Sequence, residues 1–296
     1  MNPRALLTSL FLLTGLLNAR EQDQPQSPST QFSEILEAFF TEMKETTYQH
    51  KTEIDEKSGV WKCDCSGLIG HILRQNFPEA YLHVDGPSLP GRIRPLSVNY
   101  CETFIRAGKK EGQNHPWKQI TQVKDLQPGD ILAWKNTKIV KGKSPAHTLM
   151  IAGLPKLDKN DFYRIRIIDS TTAPHANDTR TKKSNGVGAG EIWLSADKDG
   201  KLKGYKNNAQ KSLVTKNTIA VGRLRKITGP ATPLLLEDHD YLQLDTEAAR
   251  LLAKKRDLKS RVISEDLKTH SVTRKIEKKR INFVIVKGKV TRVIRG

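Results

Sequence analysis

Asp64-Cys65-Ser66-Gly67-Leu68-Ile69-Gly70 sets a cysteine ahead of small residues that open into an apolar run. The run continues to Asn76 and stops before Pro78, so the spacing predicts a helix over 66–76 with Cys65 at its entrance. A thiol there faces unpaired backbone N–H groups and the positive end of the helix dipole, which favour the thiolate. Taken alone, a free cysteine is as often a buried small hydrophobe. Its partners decide the reading, and they follow in order: Gly129-Asp130-Ile131-Leu132-Ala133-Trp134, then His147 leading Thr148-Leu149-Met150-Ile151-Ala152-Gly153, then Asp169 closing Arg166-Ile167-Ile168. Acyl transfer by cysteine needs a thiolate, a base that pairs with it and a group that orients the base. Cys65, His147 and Asp169 supply one of each, and neighbouring antiparallel strands can set a strand start and a strand end side by side.

Other polar residues compete for places around that trio. His50 follows Tyr48-Gln49 upstream of the cysteine and would line a pocket, and His175, in Pro174-His175-Ala176, would reach the site as a third polar group. Gln49 is a spare candidate for oxyanion stabilisation beside the backbone N–H of Cys65. Asp169, in Asp169-Ser170-Thr171-Thr172, reads equally as a turn or capping acid.

Outward from this centre, Glu21–Thr30 is rich in Gln, Ser and Pro and reads as a flexible lead. Ile35, Leu36, Phe39, Phe40 and Met43 fall at helical spacing behind a capping Ser33. From Asp130 onward the pattern changes to strands at 130–135, 148–152, 163–169, 190–194 and 218–224. Helices followed by a meander of strands describe an α+β domain over 32–228. Gly229-Pro230-Ala231-Thr232-Pro233 opens a linker over 229–240, and a small second unit occupies 241–296, with a helix at 246–255, a strand at 260–264 and a hairpin turning at Lys287-Gly288.

At the other end, Arg4 and the apolar stretch Ala5–Leu17, too short to span a bilayer, with Ala19 as a small cleavage residue, read as a signal peptide over 1–20. The expected location is therefore periplasmic or secreted. With three cysteines, export leaves at least one thiol unpaired: Cys63 pairs with Cys101 and frees Cys65, or all three stay reduced. A Cys63–Cys65 bridge would be badly strained. No cofactor and no metal site is implied by the spacing of Cys and His. The 50 Lys and Arg against 32 Asp and Glu leave a formal charge of +18 spread along the chain, which suits an anionic envelope polymer; no zinc finger, phosphate loop or aromatic-interleaved motif points to nucleic acid.

Three motifs in order, Asp64-Cys65-Ser66-Gly67-Leu68, Leu126-Gln127-Pro128-Gly129-Asp130-Ile131 and Ala146-His147-Thr148-Leu149-Met150-Ile151, resemble the NlpC/P60 family of papain-like cysteine peptidases over about 47–194. The resemblance implies a Cys65 nucleophile and a His147 base acting on an amide substrate, commonly cell-wall peptide. The family's usual third residue is a histidine, and Asp169 stands at the matching place. The tail, 244–296, with Arg261-Val262-Ile263, Val272-Thr273, Arg280-Ile281-Asn282 and Gly288-Lys289-Val290-Thr291, resembles the I78 group of serine-peptidase inhibitors, which share the potato inhibitor I shape. That resemblance implies a reactive loop over 267–277 carrying Thr273, Arg274 and Lys275, with Arg274 in the specificity position, Arg280 bracing the loop, and a trypsin-like serine peptidase as partner.

Overall fold

The computed structural model describes residues 26–84, 94–109, 115–137, 145–226, 240–242, 244–266, 268–273, 277 and 279–296. The expected signal peptide, most of the linker, Arg274 and Lys275 lie outside the described residues. The chain is a mixed α+β protein. Among the described residues, no helix is long and apolar enough to cross a membrane.

Helix α1 (Pro28–Glu42) begins earlier than its apolar spacing suggests, because Ser27 caps it by accepting from Thr30 N at 3.1 Å and Pro28 supplies a helical φ at the first position. Ser33 is not the cap but a buried residue whose hydroxyl donates to Glu37 at 3.0 Å, and residues 28–30 of the expected flexible lead are helical. A three-stranded sheet that the sequence pattern does not reveal follows, from β1 (Glu45–Thr47), β2 (Glu53–Asp55) and β3 (Val60–Lys62). Then come α2 (Cys65–Asn76), α3 (Pro78–Leu82) and α4 (Ser97–Lys109).

The remaining strands of the first unit are β4 (Trp117–Ile120), β5 (Ile131–Lys135), β6 (Ala146–Ile151), β7 (Lys156–Leu157), β8 (Tyr163–Thr171), β9 (Gly186–Ala196), β10 (Leu202–Lys206) and β11 (Thr218–Leu224). They pair in the order β10-β9-β8-β6-β5-β11-β4, with the short β7 against β8. The sheet curls until its ends meet: Gln122, just past β4, bridges Lys201, and Leu202 N donates to Thr121 O at 2.9 Å. Closure explains why these strands read as continuous apolar runs rather than alternating ones, since both faces are covered. Leu132, Trp134, Leu149, Ile151, Ile165 and Ile167 fill the inside. Ile131, Ala133, Met150 and Ile168 meet the helices on the outside.

Helix α2 lies on that outer face with Leu68, Ile69, Ile72 and Leu73 fully buried, each burial worth about 1.5–3 kcal/mol. Gly67 lets the helix start so close to its neighbours, because a Cβ there would stand 2.5 Å from Thr52 Oγ1. The turn into β5 needs Gly129 at φ +87°, with Asp130 buried beside it and paired to Arg223 at 2.7 Å. Asp130 therefore holds the fold rather than the chemistry.

The C-terminal unit has its own core of Tyr241, Ala249, Ala253, Ile281, Phe283, Ile285 and Val290. Helix α5 (Thr246–Lys255) packs on β12 (Lys259–Glu265) and β15 (Lys289–Arg295), which share a sheet with β14 (Arg280–Val286), β13 (Lys268–Thr269) lying at its edge. Strands β12 and β14 run parallel, so the segment between them crosses over. The hairpin turns at Lys287 and Gly288, both at positive φ, as its two-residue loop requires.

Candidate active site

Asp64 caps α2, its Oδ1 accepting from Gly67 N at 2.7 Å, and that cap fixes Cys65 as the first helical residue. The other carboxylate oxygen is held by Arg94 Nη2 at 2.7 Å, while Arg94 Nη1 donates to Ser66 Oγ at 2.7 Å and Nη2 also reaches His50 O at 3.0 Å. The backbone entering the helix is thereby clamped on both sides of the cysteine. Cys65 N–H, at the first position of the helix, has no partner within the helix and is a natural oxyanion donor.

His147 comes from β6, opposite Trp134 of β5, whose ring lies 4.9 Å from the imidazole. Met150 pairs with Ile168 of β8, which sets Leu149 opposite Asp169 and puts His147 one step along on the same face. The histidine Nε2 lies 2.6 Å from Asp169 Oδ2, and the His175 Nε2 lies 2.8 Å from the same oxygen. Since a carboxylate only accepts, both Nε2 atoms carry the hydrogen. That leaves Nδ1 of His147 as the ring's acceptor atom, and the ring lies close enough to Cys65 for each to shift the ionisation of the other. Ser97 Oγ lies 3.2 Å from Cys65 Sγ.

Asp169 is fully buried, and its charge is balanced from the other side by Arg180, whose Nη2 donates to Oδ1 at 2.8 Å. Asp178 in turn holds Arg180 at 2.7 Å. Burial opposes the ionised form of Asp169, but the neighbouring histidines outweigh it and keep the carboxyl well below its ordinary range. Burial would likewise raise the Cys65 thiol; the charge of His147 and a hydrogen bond from Ser97 bring it below the ordinary thiol value. The imidazole of His147, disfavoured as a cation by burial, is pulled up to about 10 by the Cys65 thiolate and Asp169. Cysteine and histidine thus each favour the charged form of the other.

Asp169 lies within β8 and is hydrogen-bonded to His147, so it is not a turn residue. His175 does reach the site, behind Asp169 rather than beside the sulfur. His50 sits at the rim, its side chain mostly exposed and its Nδ1 3.3 Å from Asp64. Gln49 takes no part in oxyanion binding, because its amide donates to Lys51 O at 2.7 Å and Glu53 at 3.1 Å. All three cysteines are free thiols, so Cys63 and Cys101 are not bridged; Cys101 donates instead to Thr218 O at 3.6 Å.

His147, Asp169 and His175 are also the described residues whose geometry comes nearest to a metal-ligand set. Both histidines spend their Nε2–H on the carboxylate, and Arg180 already compensates its charge, so the cluster is built as a hydrogen-bonded relay.

Arg94, Ser97, Asp178 and Arg180 have no place in the sequence analysis above, and Tyr48 enters it only as a neighbour of His50. Arg94 and Ser97 follow a Pro- and Gly-rich stretch with no periodic spacing to Cys65, and Tyr48 lies just past the unrecognised β1. A cleft of about 710 Å³ opens over His147, lined by Tyr48, Trp134, Asn136, Thr171, His175 and Tyr205 among others.

In the tail, Arg261 of β12 braces the crossover segment: its Nη2 donates to Thr273 O at 3.2 Å and its Nε to Asn282 at 2.6 Å. Arg280, the expected brace, acts at the far end of that segment, on Glu277 at 2.7 Å and on Gly296 O at 2.9 Å. Comparisons with family models, with curated proteins and with solved structures find no match to this chain.

Proposed function

We propose that the first unit is a papain-like cysteine hydrolase of the NlpC/P60 kind, exported from the cell, that cleaves a peptide or amide bond in cell-wall peptide. The observation that carries this reading is an imidazole held 2.6 Å from a buried carboxylate, with a thiol that opens a helix within its electrostatic reach. His147 holds the Cys65 proton, and the thiolate attacks the carbonyl carbon. The oxyanion so formed faces Cys65 N–H. His147 then gives its proton to the leaving amine as the carbon–nitrogen bond breaks, and afterwards takes one from the water that opens the thioester. Asp169 holds the ring in the required tautomer throughout. The described residues lining the cleft carry no carboxylate, lysine or arginine, only amides, hydroxyls, imidazoles, aromatic rings and the apolar Pro145 and Ala146, which suits a backbone-like substrate.

Incubating the full chain with purified peptidoglycan and weighing the released fragments tests this. Fragments differing by cleavage of one amide, absent with Cys65→Ala, are expected. Equal release by that variant would remove Cys65 from the mechanism.

A second reading, inhibition of a trypsin-like peptidase by the C-terminal unit, is favoured by one observation: Arg261 of β12 holds the middle of the crossover segment at Thr273 and Arg280 of β14 holds its end at Glu277. Titrating the full chain against trypsin should then abolish its activity near equimolar amounts. Undiminished trypsin activity at micromolar excess would rule this out.

A further inference from the structure

We propose that Ser97 is a catalytic residue of the Cys65 site, its buried hydroxyl donating a hydrogen bond to the attacking sulfur. The inference rests on the hydrolase reading above and extends it to the state of the nucleophile. Cys65 opens α2 and Ser97 opens α4, so two helix N-termini converge on one sulfur. The two side-chain atoms lie 3.2 Å apart. Both residues are almost wholly buried, at 4% and 5% exposure, and water is a poor substitute for the contact.

Which atom donates follows from the chemistry. Once the proton has passed to His147, the sulfur has only lone pairs to offer, and a hydroxyl rotates freely to present its hydrogen. A donor aimed at a buried anion favours it, as the charge of His147 also does. Ser97 comes from α4 and His147 from β6, so a hydrogen bond and a charge from different elements act on one sulfur. During attack the charge leaves the sulfur for the carbonyl oxygen, and the Ser97 bond weakens. Ser97 therefore favours the thiolate and does not stabilise the tetrahedral intermediate.

The position of Ser97 is itself fixed by the fold. Leu96 N donates to Asn99 Oδ1 at 2.8 Å, which shapes the start of α4, and Tyr100 and Phe104 bury that helix against the core.

The test is the pH profile of Cys65 alkylation by iodoacetamide, read by peptide mass on the native full chain, for wild type, Ser97→Ala and Ser97→Thr. Loss of a hydrogen bond to a charged group should raise the alkylation midpoint in the alanine variant by about one pH unit, and the threonine variant, which keeps the hydroxyl, should return toward wild type. A merely structural role would change the melting temperature without moving this midpoint. Superimposable profiles with a midpoint below the ordinary thiol value in all three forms would overturn the role of Ser97 and leave the hydrolase reading standing. A wild-type Cys65 that titrates like a free thiol would overturn both.

Discussion

Cys63 and Cys65 are two residues apart, and their thiols have opposite characters. Cys63 follows β3 with its side chain in the apolar core, where burial pushes the thiol up to about 12. Cys65 is almost as buried, yet His147 and Ser97 reverse the effect of burial and bring its thiol below the ordinary value. Burial alone therefore does not set reactivity; what faces the sulfur does. One turn of chain, from strand end to helix start, moves the side chain from a face that sees leucine and isoleucine to one that sees an imidazole.

The largest expected contrast is in turnover. Cys65→Ala should reduce hydrolysis at least about 10³-fold, whereas Cys63→Ala should leave the rate unchanged and cost only about 1 kcal/mol of stability through the small cavity it leaves. Parallel rate assays and thermal melts separate the two, and equal losses of rate would break the comparison.

A step down in size, Asp169→Asn probes the group behind the base. It should lower kcat roughly 10²- to 10⁴-fold by releasing the histidine tautomer, and it should also cost about 3–5 kcal/mol, because Arg180 loses a buried counter-charge. The same change should raise the alkylation midpoint of Cys65 and leave Cys63 silent.

A smaller effect is expected in pH dependence. Both charged forms are present above the lowered Cys65 value and below about 10, where His147 gives up its proton. The rate should rise on the acid side through the thiol, hold a plateau, and fall near that upper limit. Asp169 has a depressed value, so the stability it contributes is present above the ordinary carboxylate range, about 3.9, and is lost as pH falls through and below it.

Much of this arrangement was legible in the chain itself. The Asp64–Leu68 string places a cap, a nucleophile and the small residues that a close helix start requires, and the apolar runs after Gly129 and His147 are strands because both of their faces are buried. What was not legible depends on distant contacts. Residue 94 clamps a loop 30 positions away, at Asp64, and Ser97 meets a sulfur 32 positions away; neither pairing leaves a periodic trace. Gln49 looked well placed because it adjoins Tyr48 and His50, but local bonds to Lys51 and Glu53 turn its amide aside. In the tail, Arg280 carried the family resemblance, while the strand register gave the nearer contact with Thr273 to Arg261.

The central claim is an ionised sulfur beside His147 at neutral pH, and the ultraviolet thiolate absorbance of the native chain, recorded against Cys65→Ala as pH is raised, measures it directly. Wild type should show one additional thiolate already present at neutral pH, lost on acidification and missing from the variant. Spectra that coincide until a thiol ionises near its ordinary value, about 8.5, would contradict it.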